Sequence, residues 1–158
     1  MNTICINTKR GSITASALRV IHYRNNIFLV SFQNGYQNIF YTDVENGKWI
    51  EEDIGYTKLA SLVGEQINKY LHYPVHVPKI LRWQYGVLGQ NSRVFGYYGY
   101  RNGNCNMFEI YNSNKKYLYT LLEIENEEWQ ILHNGFNTVH HINRELLEFI
   151  TASLDIQD

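Results

Sequence analysis

Hydrophobic and polar residues alternate along most of this chain, and twice the alternation gives way to a helical spacing. Period-two segments are typical of strands with one buried face, whereas apolar residues three or four apart indicate a helix. The first half therefore predicts a helix beginning at Lys58, whose apolar face holds Leu59, Leu62, Val63, Ile67, Tyr70 and Leu71. Before this helix, strands are predicted at residues 2–8, 12–24, 27–32, 37–44 and 48–52.

The second half of the chain repeats this order of elements. A closing helix is predicted from about Thr138, with Val139, Ile142, Leu146, Leu147 and Ile150 on its buried face. Before it, strands are predicted near 82–88, 93–101, 106–112, 116–124 and 128–132.

Residues eighty positions apart match when the chain is shifted against itself without a gap. The Glu-Asn-x-x-Trp stretch ending at Trp49 recurs at Trp129, and Phe28 recurs as Phe108. Thr57 has its counterpart in Asn137, and both are good N-cap residues before the predicted helices. We predict a duplication in which the two tryptophans are largely buried in equivalent places. Two generic strand-turn-helix units are the alternative.

The predicted fold class is α+β: a tandem repeat of an antiparallel β-meander of four to five strands followed by one helix, with the two copies packed together. The predicted repeats are residues 1–73 and 80–158, joined by a connector at 74–79 that contains a proline at each end of its Pro-Val-His-Val-Pro run. This order of elements resembles the Whirly and PUR single-strand-binding folds. The resemblance rests on element order and implies binding of single-stranded nucleic acid.

Composition places the chain with compact cytoplasmic proteins. The N-terminal residues lack a basic region followed by an apolar run, which argues against a signal peptide, and no stretch has the length of a membrane span. Cys5 and Cys105 have no metal-like spacing, and a disulfide framework is not expected. The composition is ordinary except for thirteen tyrosines. We expect no membrane association.

Charge is divided in the same way in both halves. Residues 1–41 contain basic residues and no acid, whereas 43–53 are acidic. Residues 79–119 are again basic except for Glu109, and 123–128 are acidic. Charges of this kind protect edge strands from aggregation. They also suit a polyanionic ligand, or an oligomer in which regions of opposite sign meet.

The strands of the second half are rich in tyrosine interleaved with cations. Such a sheet face suits a protein interface, and it also suits single-stranded nucleic acid, whose bases stack on aromatic rings while cations contact phosphates. Tyrosine is a favoured strand residue as well, so a purely structural role is the third interpretation. The candidate binding surface comprises Arg93, Tyr97, Tyr98, Tyr100, Arg101, Tyr111, Lys115, Lys116, Tyr117 and Tyr119. Gly96 and Gly99 are expected to let a flat ligand approach the backbone.

Signals for catalysis are weak, and we assign no catalytic residue, metal ligand or cofactor. The six histidines have no ligand-like arrangement with cysteine. A small hydrolase using Glu51, Asp53 or His133 is the least favoured hypothesis, in which Glu51 and Asp53 would share a face of one strand. The sequence thus predicts a non-enzymatic interaction module. It would bind a protein partner or a second copy through the tyrosine-rich face, with single-stranded nucleic acid as the alternative ligand.

Overall fold

Two antiparallel five-stranded sheets form most of the chain in a computed structural model, which describes residues 1–21, 27–72, 76–124, 128–134 and 144–156. The chain divides into two compact units, Met1–Pro78 and Lys79–Asp158. The protein is therefore mostly β, with few helices, and its two sheets are consistent with two similar β-meander units. Within the described residues, no helix is long and apolar enough to cross a membrane.

The first unit is a meander in which each strand pairs with the next along the chain. A helix, α1 (Lys58–Leu71), follows the strands, and Thr57 is its N-cap as predicted, since its hydroxyl accepts a hydrogen bond from the Ala60 N–H at 2.9 Å. The strands, in sheet order, are β1 (Asn2–Thr8), β2 (Gly11–Ile21), β3 (Ile27–Phe32), β4 (Gln37–Thr42) and β5 (Trp49–Glu51).

The second unit has the same strand order, and a helix, α2 (Arg144–Thr151), packs beside its first strand. The predicted start of this helix near Thr138 lies outside the described residues, as do residues 22–24 of the predicted second strand. The strands, in sheet order, are β6 (Arg82–Leu88), β7 (Asn91–Asn102), β8 (Cys105–Asn112), β9 (Tyr117–Ile124) and β10 (Glu128–Asn134).

Strand pairing follows one register in both units. Asn2 lies opposite Ala17 in the first sheet, and Arg82, eighty positions later, lies opposite Tyr97 in the second. The next strand pair agrees in the same way, because Ala15 pairs with Phe32 and Phe95 with Asn112. The first three strands of the two sheets therefore share one register, except at the end of β2, where a bulge between Arg19 and Ile21 has no counterpart in β7.

The register departs from this equivalence in β9. Tyr111 pairs with Tyr117, but its neighbour Ile110 pairs with Tyr119, so Leu118 is an extra residue in a β-bulge. Beyond the bulge, Phe108 faces Leu121, whereas in the first sheet the equivalent Phe28 faces Phe40. The ungapped match over this strand is therefore wrong by one residue, because the bulge displaces every later residue of β9.

Each sheet has a core in which a phenylalanine contacts a tryptophan. The rings of Phe28 and Trp49 are 5.9 Å apart, and those of the equivalent Phe108 and Trp129 are 5.7 Å apart. Trp49 is buried and Trp129 is partly buried. The two indoles thus occupy equivalent places, as predicted, although the second is less enclosed.

Helix α1 comes close to the first sheet at Gly64. A Cβ atom built on Gly64 would lie 2.0 Å from the Cδ1 atom of Trp49, a distance that no real side chain tolerates. The missing side chain therefore makes room for the indole. This explains a glycine inside a helix, where it costs about 1 kcal/mol against alanine.

The pair Asn34-Gly35 is typical of a type I′ hairpin and predicts one between β3 and β4, but the observed turn differs. Three residues separate Phe32 and Tyr36, whose backbones are joined by a 2.8 Å hydrogen bond, and Gly35 alone among them has a positive φ, of 87°. A type I′ turn needs positive φ at both central residues, so the prediction from Asn34-Gly35 is wrong. Lys115 occupies the equivalent position in the second unit with a φ of 61°, where a non-glycine residue is strained.

Candidate interaction site

The tyrosines of the predicted binding surface divide between the interior and the surface. Tyr97, Tyr111, Tyr117 and Tyr119 are buried, so these four rings are not available to a ligand. Tyr97 and Tyr119 lie on the face of the second sheet that packs against α2, whereas Tyr111 and Tyr117 lie on the opposite face with rings 5.8 Å apart. The continuous tyrosine-rich surface expected from the sequence does not exist, because consecutive strand residues point to opposite faces and both faces have buried centres.

The other predicted surface residues are more accessible but are spread over the unit. Tyr98 and Tyr100 are partly buried and stack on each other at 5.9 Å. Arg93 and Arg101 are exposed, and they lie at separate ends of the run from 93 to 101. Lys115 and Lys116 are partly buried in and beside the turn between β8 and β9. The structure therefore does not bring these cations and rings together on one open face.

Gly96 and Gly99 serve the fold and leave no space for a flat ligand. A Cβ atom at Gly96 would lie 3.1 Å from the indole of Trp83, and one at Gly99 would lie 2.9 Å from the ring of Phe108. Aromatic side chains of the protein already cover both glycines. Flat groups do approach the backbone at these two glycines, but they are side chains of the protein itself.

A buried carboxylate organises the face of the second sheet that lies opposite α2. Glu109 is only 1% exposed, and its carboxylate accepts a hydrogen bond from the Tyr111 hydroxyl at 2.7 Å. The ammonium of Lys79, which precedes β6, forms an ion pair with the same carboxylate and lies 5.3 Å from the Tyr98 ring. Lys79 is thus committed to an internal ion pair, and this network holds the chain entering β6 against the sheet.

Glu51 and Asp53, two of the three proposed hydrolase residues, lie in different surroundings. Glu51 is buried, and its carboxylate accepts hydrogen bonds from the Tyr36 hydroxyl and, at 2.7 Å, from the Thr57 hydroxyl. Asp53 is exposed in the turn after β5, with a φ of 61°, so it does not share a strand face with Glu51 as predicted. The side chain of His133 lies outside the described residues. Glu51 is accordingly a structural link between a β-turn and the N-terminus of α1.

Metal-ligating side chains are dispersed over the part of the chain that the structure describes. Within it, no group of three or more His, Cys, Asp or Glu residues is placed to hold a metal ion. The thiols of Cys5 and Cys105 are exposed and are not joined in a disulfide.

Burial is the largest cause of the raised pKa of one tyrosine in each unit, Tyr41 and Tyr119. Loss of hydration raises the pKa of Tyr119 well above its ordinary value of 10.0. The pKa of Tyr41 is also raised, first by burial and then by the negative charges of nearby acids. Both phenols therefore stay neutral in the folded protein under conditions that ionise them in the unfolded chain.

We expect stability to fall as the pH rises above about 10. The unfolded chain then loses phenolic protons that the folded chain keeps, and each such group lowers the free energy of unfolding by up to about 1.4 kcal/mol per pH unit. Tyr119→Phe should make this alkaline decline shallower, and Tyr41→Phe should do the same independently. Urea unfolding between neutral pH and about pH 11 measures the slope. Equal slopes in wild type and both variants would contradict the assignment.

Strand β6 carries the most prominent exposed apolar feature of the second sheet. Tyr85 is 74% exposed and Val87 is 68% exposed, and with the partly buried Trp83 they occupy alternate positions on the face opposite α2. We call these three residues the β6 stripe. In the described strand order β6 has one neighbour, β7, and so lies at a sheet edge. Edge strands ordinarily avoid exposed apolar side chains because these promote pairing with other chains.

The equivalent strand of the first sheet has the opposite arrangement. Strand β1 turns Ile4 and Ile6 into the core and exposes Thr3, Cys5 and Asn7, which are the counterparts of the β6 stripe at an offset of eighty. In β6 the core-side counterparts are Gln84 and Gly86. Gly86 leaves room for the Phe149 ring of α2, which would lie 2.4 Å from an added Cβ atom. The outward-facing positions of the first strand are thus polar or small in the first unit and apolar in the second.

Sequence reasoning did not select the β6 stripe, although a signal for it was present. The alternation of Trp83, Tyr85 and Val87 has the period of a half-buried strand and would ordinarily mark a core face. Aligned with β1 at an offset of eighty, this apolar set falls one position out of phase with Ile4 and Ile6. A shift of one residue moves the apolar side chains of a strand to its other face. This shift between β1 and β6 is the signal in the sequence that the apolar residues of β6 point outward.

No match to this chain was found among known protein families, curated proteins or solved structures.

Proposed function

We propose that this protein is a non-enzymatic interaction module that binds a protein surface through the β6 stripe. The observation that supports the proposal is the exposure of Tyr85 and Val87 at positions whose counterparts in the first sheet are the polar or small residues Cys5 and Asn7. The scaffold folds with polar residues at this edge, so folding does not require the apolar ones. Large exposed apolar side chains that a fold does not require mark interaction sites.

The composition of the β6 stripe suits a protein partner. Trp and Tyr are enriched at the energetic centres of protein interfaces because they bury large areas with few rotatable bonds. The Trp83 ring lies over Gly96, 3.1 Å from the place of an added Cβ atom, so this part of the surface packs on the sheet. Arg82, on the other face of the strand, forms a 3.3 Å ion pair with Asp155, and this neutralises charge beside the site.

Single-stranded nucleic acid remains the alternative ligand proposed from the sequence, and the geometry favours it less. Stacking requires several accessible rings beside several accessible cations. Burial removes Tyr97, Tyr111, Tyr117 and Tyr119 from that set, and Lys79 is paired with Glu109. Tyr85 and Arg93 are exposed, but they lie on opposite faces of the second sheet. Binding to mixed oligonucleotides at low salt, weakening steeply with added salt, would restore this alternative.

We further infer that the two units arose by duplication of a strands-then-helix repeat, since their first three strands share one pairing register apart from the bulge at the end of β2. A reducing compartment such as the cytoplasm is the proposed location. Exposed unpaired thiols at Cys5 and Cys105 support it, because such thiols are oxidised readily in secreted proteins.

Replacement of the β6 stripe by its first-unit counterparts, with serine in place of cysteine, tests the proposed function. The variant Trp83→Thr/Tyr85→Ser/Val87→Asn should remain folded, because the first sheet tolerates such residues, and should lose association by roughly tenfold or more. Association is measured by sedimentation of the purified protein and by affinity capture. Each captured protein is identified, purified and recombined with wild type and variant.

A matched exchange on β1 is the control. The variant Thr3→Ala/Asn7→Ala alters exposed edge positions without removing apolar area and should bind as wild type does. If the variant of the β6 stripe self-associates and binds every captured protein as strongly as wild type does, the proposed function is wrong.

A further inference from the structure

We infer that the partner at the β6 stripe is a second copy of this chain, whose β6 pairs antiparallel with the first β6 around Tyr85. The inference rests on the proposed function and specifies its partner. It follows from the direction of the backbone groups of β6, from the self-complementarity of its side chains and from the spacing of its charge.

The backbone groups of the β6 stripe point towards the sheet edge. Strands β6 and β7 are joined by the two-residue turn at 89–90 and close on the pair Leu88 and Asn91. The two residues that close such a hairpin are joined by backbone hydrogen bonds. Along the strands from that pair, every second pair of opposite residues is hydrogen-bonded and the pairs between are not. Tyr85 and its stripe neighbours two residues away therefore fall in non-hydrogen-bonded pairs with β7. Their N–H and C=O groups are directed away from β7, where a further strand would pair with them.

The side chains of β6 are complementary to themselves in one antiparallel register. With Tyr85 opposite Tyr85 of a second copy, Trp83 lies opposite Val87 and Val87 opposite Trp83. Every residue of the β6 stripe then faces another residue of the stripe, and all lie on one face of a continuous sheet. Aromatic pairs and pairs of aromatic with β-branched residues are among the favourable cross-strand contacts. The same residues supply the outward N–H and C=O groups, so backbone and side chains favour the same register.

Charge does not oppose this arrangement. Arg82 is the charged residue of β6, and in the proposed register it lies opposite Leu88. The two Arg82 residues are six positions apart along the paired strands, or about 20 Å at 3.4 Å per residue. That separation exceeds the Debye length of about 8 Å at physiological salt. Each Arg82 also has its own Asp155 as an ion-pair partner.

The symmetry of the contact limits the assembly to a dimer. A two-fold axis through Tyr85 uses the same edge of both copies, so the contact closes on itself and leaves no β6 edge for a third chain. A strand pair with one stripe of side chains is a small interface, and small interfaces associate reversibly. We therefore expect a dimer whose population depends on protein concentration.

Disulfide trapping tests the register directly. In a background with Cys5→Ser and Cys105→Ser, Tyr85→Cys places two thiols opposite each other across the axis, with Cα atoms about 5.5 Å apart, which suits a disulfide. Val87→Cys alone places its two thiols four residues apart, about 13 Å, beyond the reach of a disulfide. We expect Tyr85→Cys to form a covalent dimer under mild oxidation roughly tenfold or more faster than Val87→Cys, the matched control. The double variant Trp83→Cys/Val87→Cys should also be trapped.

Light scattering at increasing concentration tests the uncrosslinked protein. The wild-type mass should rise from 18.7 kDa towards twice that value. Tyr85→Arg places like charges directly opposite each other and should weaken dimerisation roughly 100-fold or more, whereas Tyr85→Phe should preserve it.

A wild-type chain that stays at 18.7 kDa, together with equal trapping of Tyr85→Cys and Val87→Cys, would overturn the inference. In that event, loss of an identified different partner in the stripe exchange would leave the proposed function standing, so the two failures are distinguishable.

Discussion

Lys79→Met is expected to lower the free energy of unfolding by about 3–5 kcal/mol, because it removes the ammonium partner of a carboxylate inside the second unit. The Glu109 side chain is 1% exposed and has little access to water, so loss of Lys79 leaves the carboxyl group in the interior without this cation. Glu109→Leu should cost less, about 1–3 kcal/mol, because Lys79 is 17% exposed and its flexible side chain reaches solvent. Denaturant unfolding followed by circular dichroism measures both values.

Matched variants separate the loss of the ion pair from a general loss of packing. Lys79→Arg keeps the positive charge and should stay within about 1 kcal/mol of wild type. Arg93→Met removes an exposed cation from β7 and should change stability by less than about 0.5 kcal/mol. The double variant Lys79→Met/Glu109→Leu should recover most of the loss, since both charges are then absent. A Lys79→Met protein as stable as wild type would show that Glu109 does not depend on this ion pair.

Gly64→Ala should destabilise the first unit by about 2 kcal/mol, although alanine is the better helix former by about 1 kcal/mol. The added methyl group would lie 2.0 Å from Cδ1 and 2.2 Å from Cγ of Trp49, so the whole indole must move. Trp49 is 7% exposed and contacts Phe28, so movement disturbs the core of the sheet. Thermal unfolding monitored by circular dichroism measures the change.

The exposed helix position Ser61 provides the control for this variant. Ser61→Ala on α1 should be neutral or slightly stabilising, because the methyl group meets solvent there. Trp49→Leu should cost less in the Gly64→Ala background than in wild type, because the smaller side chain no longer contacts the added methyl group. A gain in stability from Gly64→Ala alone would show that the indole does not occupy the space beside the glycine.

The sequence predicted strand positions well wherever the period-two pattern was unbroken. The predicted bounds of β1, β3 and β6 agree with the structure, and Thr57 was recognised as an N-cap from its residue type and the following apolar spacing. These features are local, since a pleated strand or a helix start imposes its pattern on neighbouring residues.

The side of the sheet to which each strand residue points was less predictable from the sequence. Tyr97 and Tyr98 are adjacent and equally aromatic, yet the first is buried against the α2 side and the second lies partly buried on the other face. Alternation fixes the period of a strand but not which of its faces meets the helix. The long-range ion pair between Lys79 and Glu109, thirty residues apart, left no local signal either.

The bulge at Leu118 has a consequence for comparison of the two halves with each other and with related chains. Through β8 an offset of eighty aligns equivalent residues except at the end of β2, where only the first sheet has a bulge. In β9 the structural offset is eighty-one, since Thr42 pairs with Trp49 and Glu123 with Trp129. Trp129 itself returns to the original offset, so one residue gained at Leu118 is lost again before β10. An alignment of the two halves with one gap at Leu118 and a second before β10 matches Phe40 with Leu121. An alignment without gaps does not show that match.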